Sequence, residues 1–112
     1  MTNRALMDKS MSEEDFARAV VDLALSCGWK VKREPPWRAA CRKHDSAVGF
    51  PDLVCLKGSR LVVAELKAEG GTMSPAQREW ANRFETAAMY NDFVEYYIWR
   101  PSDWNDIEEV LD

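Results

Sequence analysis

The fold is decided by residues 49–67, which read GFPDLVCLKGSRLVVAELK. Two runs rich in aliphatic and β-branched residues, 51–57 and 60–67, flank the dipeptide Gly58-Ser59. A two-residue loop that begins with glycine is typical of a type II′ hairpin turn, so the pattern predicts two antiparallel strands. The second run is apolar on both faces and is expected to lie at the centre of a sheet that is covered on both sides.

This hairpin is predicted to bring two carboxylates together. The turn register places Asp52 directly across from Glu65, with Cβ atoms about 4.5–5.5 Å apart. Lys67 returns to the same face because side chains alternate along a strand. Acids this close repel each other and need a cation, and oxygen ligands favour Mg²⁺ or Mn²⁺. The alternative is a salt bridge at the sheet edge between Lys67 and Glu65 or Glu69, and the residues alone leave both interpretations open.

Further elements are predicted on either side of the hairpin. Capping residues mark two helices: Ser12 precedes the first, which ends at Gly28, and Ser74 precedes the second, where Gln77 completes a capping box. Short strands are expected at residues 29–33 and 94–99, a polar loop at 37–49 and a final helix at 102–111, capped by Ser102. The resulting order, α-β-β-β-α-β-α, predicts an α/β (α+β) fold with a mixed central sheet flanked by helices.

The composition predicts a single domain that spans residues 1–112, with a core at about 12–100 and an acidic C-terminal helix. The sequence has no apolar run near the ~20 residues of a membrane span and no signal-peptide pattern at its N-terminus. Three cysteines cannot all pair, so reduced thiols in a cytoplasmic protein are expected.

Charge is distributed unevenly along the chain. The formal net charge is −4, yet six basic residues fall between residues 28 and 50: Lys30, Lys32, Arg33, Arg38, Arg42 and Lys43. Seven acids and one arginine occupy residues 89–112. A basic middle segment allows a local contact with phosphates inside an acidic protein. A solvated loop is the other interpretation, and charge alone favours it.

The first predicted helix offers a third acid near the two carboxylates. Helical periodicity places Glu13 at the edge of the apolar stripe that contains Phe16 and Val20, whereas Glu14 points away from that stripe. A carboxylate on this side could reach a metal bound at the hairpin. The alternative is that Glu13 only complements the helix dipole in the first turn.

Three motifs together resemble the VRR-NUC branch of the PD-(D/E)xK nucleases. They are Gly49-Phe50-Pro51-Asp52-Leu53, Ala64-Glu65-Leu66-Lys67 and Ser74-Pro75-Ala76-Gln77. The resemblance runs from about Glu13 to Trp99, and it implies the restriction-endonuclease-like core of that superfamily. A lone Pro-Asp followed by Glu-x-Lys is common by chance, but the surrounding motifs make the resemblance specific.

The resemblance also implies roles for individual residues. The expected ligands of Mg²⁺, for which Mn²⁺ should substitute, are Asp52, Glu65, Glu13 and the backbone carbonyl of Leu66. Lys67 would orient the attacking water or help to deprotonate it. Gln77 matches the glutamine of the family's Ser-x-x-Gln motif beside the site, a role compatible with its place in a capping box.

The implied function is Mg²⁺-dependent, structure-selective endonuclease activity on branched DNA such as Holliday junctions, in recombination, repair or phage DNA processing. Small members of this branch suggest a homodimer in a bacterial or phage-infected cytoplasm, with no membrane partner and no nucleotide cofactor. The residues expected to contact DNA are Arg38, Arg42, Lys43, Lys32 and Arg33. The alternatives are a non-catalytic DNA-binding or assembly module on the same fold and a sequence-specific restriction-type nuclease. The non-catalytic module is disfavoured because every recognisable catalytic position holds a competent residue.

Overall fold

The architecture is that of a computed structural model, which describes residues 7–34 and 48–112. The helices in these ranges are α1 (Glu13–Ser26), α2 (Pro75–Met89) and α3 (Trp104–Leu111). The strands are β1 (Lys30–Arg33), β2 (Leu53–Lys57), β3 (Arg60–Leu66) and β4 (Val94–Trp99), and a 3₁₀ turn (Pro101–Asp103) precedes α3. The predicted order of elements is confirmed for this part of the chain.

The described strands form one mixed sheet in the order β1-β2-β3-β4, and the α+β class is confirmed. β1 pairs with β2 and β2 with β3 in antiparallel fashion, whereas β4 runs parallel to β3. Lys57 pairs with Arg60 and Leu53 with Ala64, which is the register predicted from the turn. Gly58 adopts a φ of 59°, a left-handed conformation that glycine reaches without steric cost.

The predicted start of the second strand, at Pro51, was wrong by two residues, since β2 begins at Leu53. Pro51 has no N–H to donate to a neighbouring strand. Asp52 still touches both neighbours of β2: its carbonyl accepts the Glu34 N–H at 2.8 Å, and its side chain accepts the Leu66 N–H at 2.8 Å. The carboxylate therefore replaces a backbone acceptor at the end of the hairpin.

The start of the C-terminal helix also differs from the prediction. Ser102 does not cap it; the 3₁₀ turn comes first, and Asp103 occupies the N-cap position of α3. The Asp103 carboxylate accepts the N–H of Arg100 at 2.9 Å, while the Ser102 N–H donates to Glu69 at 3.0 Å. Glu69 thus accepts a hydrogen bond from the backbone of the 3₁₀ turn before α3.

The two faces of the sheet are covered by different helices. The α1 stripe of Phe16, Val20 and Ala24 is fully buried in a core shared with one face of β2 and β3, and α3 adds its own apolar residues to this core. The indole N–H of Trp29 donates to the carbonyl of Leu111 at 2.8 Å, which ties the end of α3 to the sheet. Each such apolar side chain contributes about 1.5–3 kcal/mol by burial.

Helix α2 lies on the opposite face, where the Phe84 ring stacks on Tyr96 of β4 with centroids 5.6 Å apart. With helices on both faces, β3 is buried from Val62 to Leu66, as predicted for a covered central strand. No helix within the described ranges is long and apolar enough to span a membrane.

Candidate metal centre

Asp52, Glu65 and Lys67 meet at the end of β3, on the side of the sheet that α2 covers. The Asp52 carboxylate is held by the Leu66 N–H, at 2.8 Å. The Lys67 ammonium nitrogen lies 3.6 Å from the nearer Glu65 oxygen, Oε2. The face predicted from strand alternation therefore carries the three side chains together.

Glu65 is the most unusual residue of this group. Its exposed fraction is 1%, and neither carboxylate oxygen accepts a hydrogen bond from any described residue. Lys67 is also buried, with 7% of its surface exposed, and stands beyond hydrogen-bonding distance of the carboxylate. Burial of an ionised carboxylate without donors is strongly unfavourable. The two free oxygens are therefore positioned to accept a cation.

The electrostatics of the two acids follow from this burial. Burial, reinforced by the negative charge of Asp52 and opposed by Lys67, raises the pKa of Glu65 to about 8. Burial also raises the pKa of Asp52, against the hydrogen bond from Leu66. Glu65 therefore holds its proton more strongly than an ordinary carboxyl group does. A divalent cation would take the place of this proton, so the residues fit the implied Mg²⁺.

Gln77 connects the site to the first turn of α2. Its side-chain oxygen accepts hydrogen bonds from the Lys67 ammonium at 2.8 Å and from the Ser74 N–H at 2.9 Å. The Ser74 hydroxyl accepts the Gln77 N–H at 3.1 Å, so the predicted capping box is confirmed. The Gln77 side chain therefore caps α2 and contacts Lys67 at the same time, because its one oxygen accepts both hydrogen bonds.

The segment before Asp52 packs directly onto α2. Gly49 has a φ of 85°, and a Cβ atom placed there would come within 2.5 Å of the Ala76 carbonyl carbon. Only glycine permits this approach. The next residue, Phe50, packs edge-on against Trp80 with centroids 4.9 Å apart. The Gly-Phe-Pro-Asp motif therefore sets the position of Asp52 relative to the helix that carries Gln77.

The two acids at the start of α1 are both exposed, although helical phase placed Glu13 at the edge of the apolar stripe. Glu14 forms a bidentate ion pair with Arg33, at 2.6 and 3.1 Å. Glu13 is exposed, and its charge raises the pKa of both Asp52 and Glu65. The described residues contain no group of three His, Cys, Asp or Glu side chains that could hold a metal ion as they stand, so a ligand role for Glu13 stays a prediction.

The site thus provides the carboxylates of Asp52 and Glu65 as its closely placed acids. Leu66 is the last residue of β3 and lies between Glu65 and Lys67, so its backbone belongs to the same strand end. The predicted roles of the Leu66 carbonyl and of Glu13 as ligands remain predictions.

The predicted DNA-binding residues are only partly described. Arg38, Arg42 and Lys43 lie outside the described residues, and so does His44. Lys32 is exposed on β1. Arg33 is 29% exposed at its side chain, and its charge is compensated by Glu14. Of the described pair, Lys32 is therefore the cation more available to a phosphate.

The sequence analysis missed Tyr96. Its hydroxyl is buried without a hydrogen-bond partner in the described part of the chain. In the parallel pairing of β3 with β4, Tyr96 lies opposite Val63, two pairs before the pair of Glu65 with Ile98. Alternation puts Tyr96 and Glu65 on the same face. The aromatic pattern of β4 predicted a strand, but this neighbour relationship depends on the β3–β4 register, which no local turn specifies.

Comparison of the chain with protein-family models, curated proteins and solved structures gives no match.

Proposed function

We propose that this protein is a Mg²⁺-dependent, structure-selective DNA endonuclease of the VRR-NUC type, on a PD-(D/E)xK core. One observation carries the proposal: a buried carboxylate, Glu65, has two oxygens without donors among the described residues, beside Asp52 and Lys67. A salt bridge built for stability would be expected to satisfy these oxygens. The Gly-Phe-Pro-Asp, Glu-x-Lys and Ser-x-x-Gln motifs support the same proposal.

Asp52 and Glu65 would hold the cation, joined by the Leu66 carbonyl and, from α1, by Glu13. The oxygen-only ligand set is suited to Mg²⁺, with Mn²⁺ as a substitute. When bound, the cation supplies positive charge that lowers the pKa of a water and stabilises negative charge on a phosphate.

Lys67 would contribute the second positive charge at the reacting phosphate. Its ammonium group is fixed between the Gln77 oxygen at 2.8 Å and the Glu65 carboxylate at 3.6 Å. A donor that is already oriented stabilises developing charge without reorganisation. In this proposal Gln77 is a positioning residue, because it acts through the lysine that it holds.

DNA is the proposed substrate because the chemistry of the site is phosphodiester hydrolysis and the basic residues cluster in residues 28–50. Lys32, like Lys30, is an exposed cation of this cluster on β1. A homodimer would supply a second binding surface, as expected for branched substrates such as Holliday junctions. Recombination, repair or phage DNA processing in the cytoplasm is the proposed setting.

The proposal is tested with a panel of labelled linear duplex, nicked, flapped, forked and four-way-junction DNA. The purified chain is incubated with each substrate in Mg²⁺, Mn²⁺ or EDTA. We expect cleavage of branched DNA in either metal and none in EDTA. Asp52→Asn should abolish cleavage, whereas Asp106→Asn, the same change at an exposed position on α3, should leave it intact.

Two results would contradict the proposal. Cleavage by Asp52→Asn at the rate of the unmodified chain would remove the assigned site. Binding of branched DNA without cleavage in any metal would instead favour the non-catalytic module.

A further inference from the structure

Tyr96 presents a buried hydroxyl on the same face of the sheet as the Glu65 carboxylate. The hydroxyl and both oxygens of Glu65 are buried, and none has a hydrogen-bond partner among the described residues. Burial of one unpaired polar group already costs about 1–3 kcal/mol, so neighbouring unpaired groups call for a common explanation.

The hydroxyl is suited to donate. Burial, then the negative charges of Glu65 and Glu85, raise the pKa of Tyr96 above its ordinary value, so the phenol keeps its proton. The charge of Asp52 raises the pKa of Tyr96 in the same direction. Arg78 opposes the shift. A neutral donor therefore lies on the face of the sheet that carries Glu65, whose two oxygens accept no hydrogen bond from a described residue.

The ring of Tyr96 is held in place. It is nearly parallel to the Phe84 ring, with an interplanar angle of 3° and centroids 5.6 Å apart. Phe84 in turn packs on Trp80 and Phe50, the aromatic residue two positions before Asp52. The hydroxyl consequently has little freedom to turn towards solvent, and its position is set by the same cluster that places the Gly-Phe-Pro-Asp segment.

We propose that Tyr96 is a positioning residue of the metal centre, whose hydroxyl donates through one water to the Glu65 carboxylate and orients it for the cation. A bridging water needs two to four polar partners, and the hydroxyl with the two Glu65 oxygens supplies them. Partners that orient a ligating carboxylate commonly change metal affinity by about 10- to 100-fold when they are removed. The inference rests on the proposed function, because it presupposes that Glu65 binds a divalent cation.

The adjacent tyrosine provides a matched control. Tyr97 points to the other face of the sheet, and its hydroxyl donates to Glu95 at 2.7 Å. Tyr97→Phe removes the same atom from the same strand, one position away, without reaching Glu65. A loss of Mn²⁺ affinity that appears only in Tyr96→Phe is therefore caused on the face of the sheet that carries Glu65.

The experiment is a calorimetric titration of the metal-free full chain with Mn²⁺, in the absence of DNA, with thermal melting of each variant alongside. We expect Tyr96→Phe to weaken Mn²⁺ binding by about 10-fold or more, without lowering the melting temperature of the metal-free protein. Tyr97→Phe should retain the affinity of the unmodified chain within about twofold.

Equal Mn²⁺ affinity for the unmodified chain and Tyr96→Phe would overturn the positioning role while leaving the metal centre in place. A higher melting temperature with unchanged affinity would show that the hydroxyl is merely a buried group without a partner. Absence of Mn²⁺ binding in the unmodified chain itself would overturn the proposed function and this inference together.

Discussion

The two ends of β3 carry charged residues in opposite states. At its start, Arg60 makes two hydrogen bonds to Glu95, at 2.7 and 2.8 Å, and Tyr97 donates to the same carboxylate at 2.7 Å. The guanidinium carbon also lies 5.0 Å from the centroid of the Trp29 ring. Every group has its partner, and both charged side chains keep access to water.

At the end of β3 the arrangement is reversed. Glu65 is almost completely buried, its nearest cation, the Lys67 ammonium, is 3.6 Å away, and no described donor reaches its oxygens. The same strand therefore begins with an arginine that is hydrogen-bonded to a carboxylate and ends with an acid, Glu65, whose oxygens accept no hydrogen bond from a described residue. The difference indicates that the Arg60–Glu95 ion pair contributes to stability, whereas the Glu65 end of the strand is suited to bind a ligand.

The strongest test of this contrast is cleavage activity. Lys67→Ala is expected to lower the rate on branched DNA by at least about 100-fold, since it removes an oriented positive charge from the reacting phosphate. Arg60→Gln, at the other end of the strand, should change the rate by less than about threefold. Single-turnover cleavage assays compare the two variants, and equal losses would show that both ends serve only the fold.

The next effect is on stability as a function of pH, and its sign differs between the two ends. The pKa of Glu65 is raised from 4.5 to about 8, so its contribution to stability is fully present below about pH 4.5 and is lost as pH rises through 8. The Arg60 hydrogen bond lowers the pKa of Glu95, so that contribution is present above pH 4.5 and is lost as pH falls.

Urea denaturation of the metal-free protein measures both slopes. We expect the free energy of unfolding to fall by a few kcal/mol between about pH 5 and 8, and Glu65→Gln to remove most of this change. Persistence of the slope in Glu65→Gln would assign it to another group. Mn²⁺ affinity should rise over the same pH range, because the cation displaces the proton of Glu65.

At a fixed pH, substitution of the two acids, Glu65 and Glu95, is expected to change the free energy of unfolding by smaller amounts and in opposite directions. In metal-free buffer at about pH 9, Glu65→Gln should raise the free energy of unfolding by about 1–2 kcal/mol, because a buried charge without donors becomes a neutral amide. Glu95→Gln should lower it by about 1 kcal/mol, because three charge-assisted bonds are weakened. Urea midpoints that shift in the same direction for both variants would contradict the contrast.

The smallest expected effect concerns DNA binding along β1. Lys32→Ala should reduce the slope of log K against log salt by about 0.9, the value for one phosphate contact on duplex DNA. Lys30 is also exposed but pairs with Leu56, nearer the hairpin turn, so Lys30→Ala should leave the slope unchanged. Fluorescence anisotropy at several salt concentrations distinguishes them, and equal slopes for all three proteins would place the DNA elsewhere.

The parts of the structure that local rules govern could be predicted from the sequence. A two-residue turn and the alternation of strand side chains determined the β2–β3 register, and with it the meeting of Asp52 and Glu65. The capping box at Ser74 needs residues only three positions apart, so it too was visible in the sequence.

What depended on contacts between distant segments was decided by the tertiary structure alone. The parallel pairing of β3 with β4 placed Tyr96 opposite Val63, on the face of the sheet that carries Glu65, and no turn specifies that register. The absence of described donors around Glu65 depends on how α2 covers this face. The sequence by itself determined which charged groups share the end of the hairpin, because the controlling interactions are local. Only the tertiary structure decided that Glu65 is buried without a donor among the described residues, because desolvation depends on everything packed around the carboxylate.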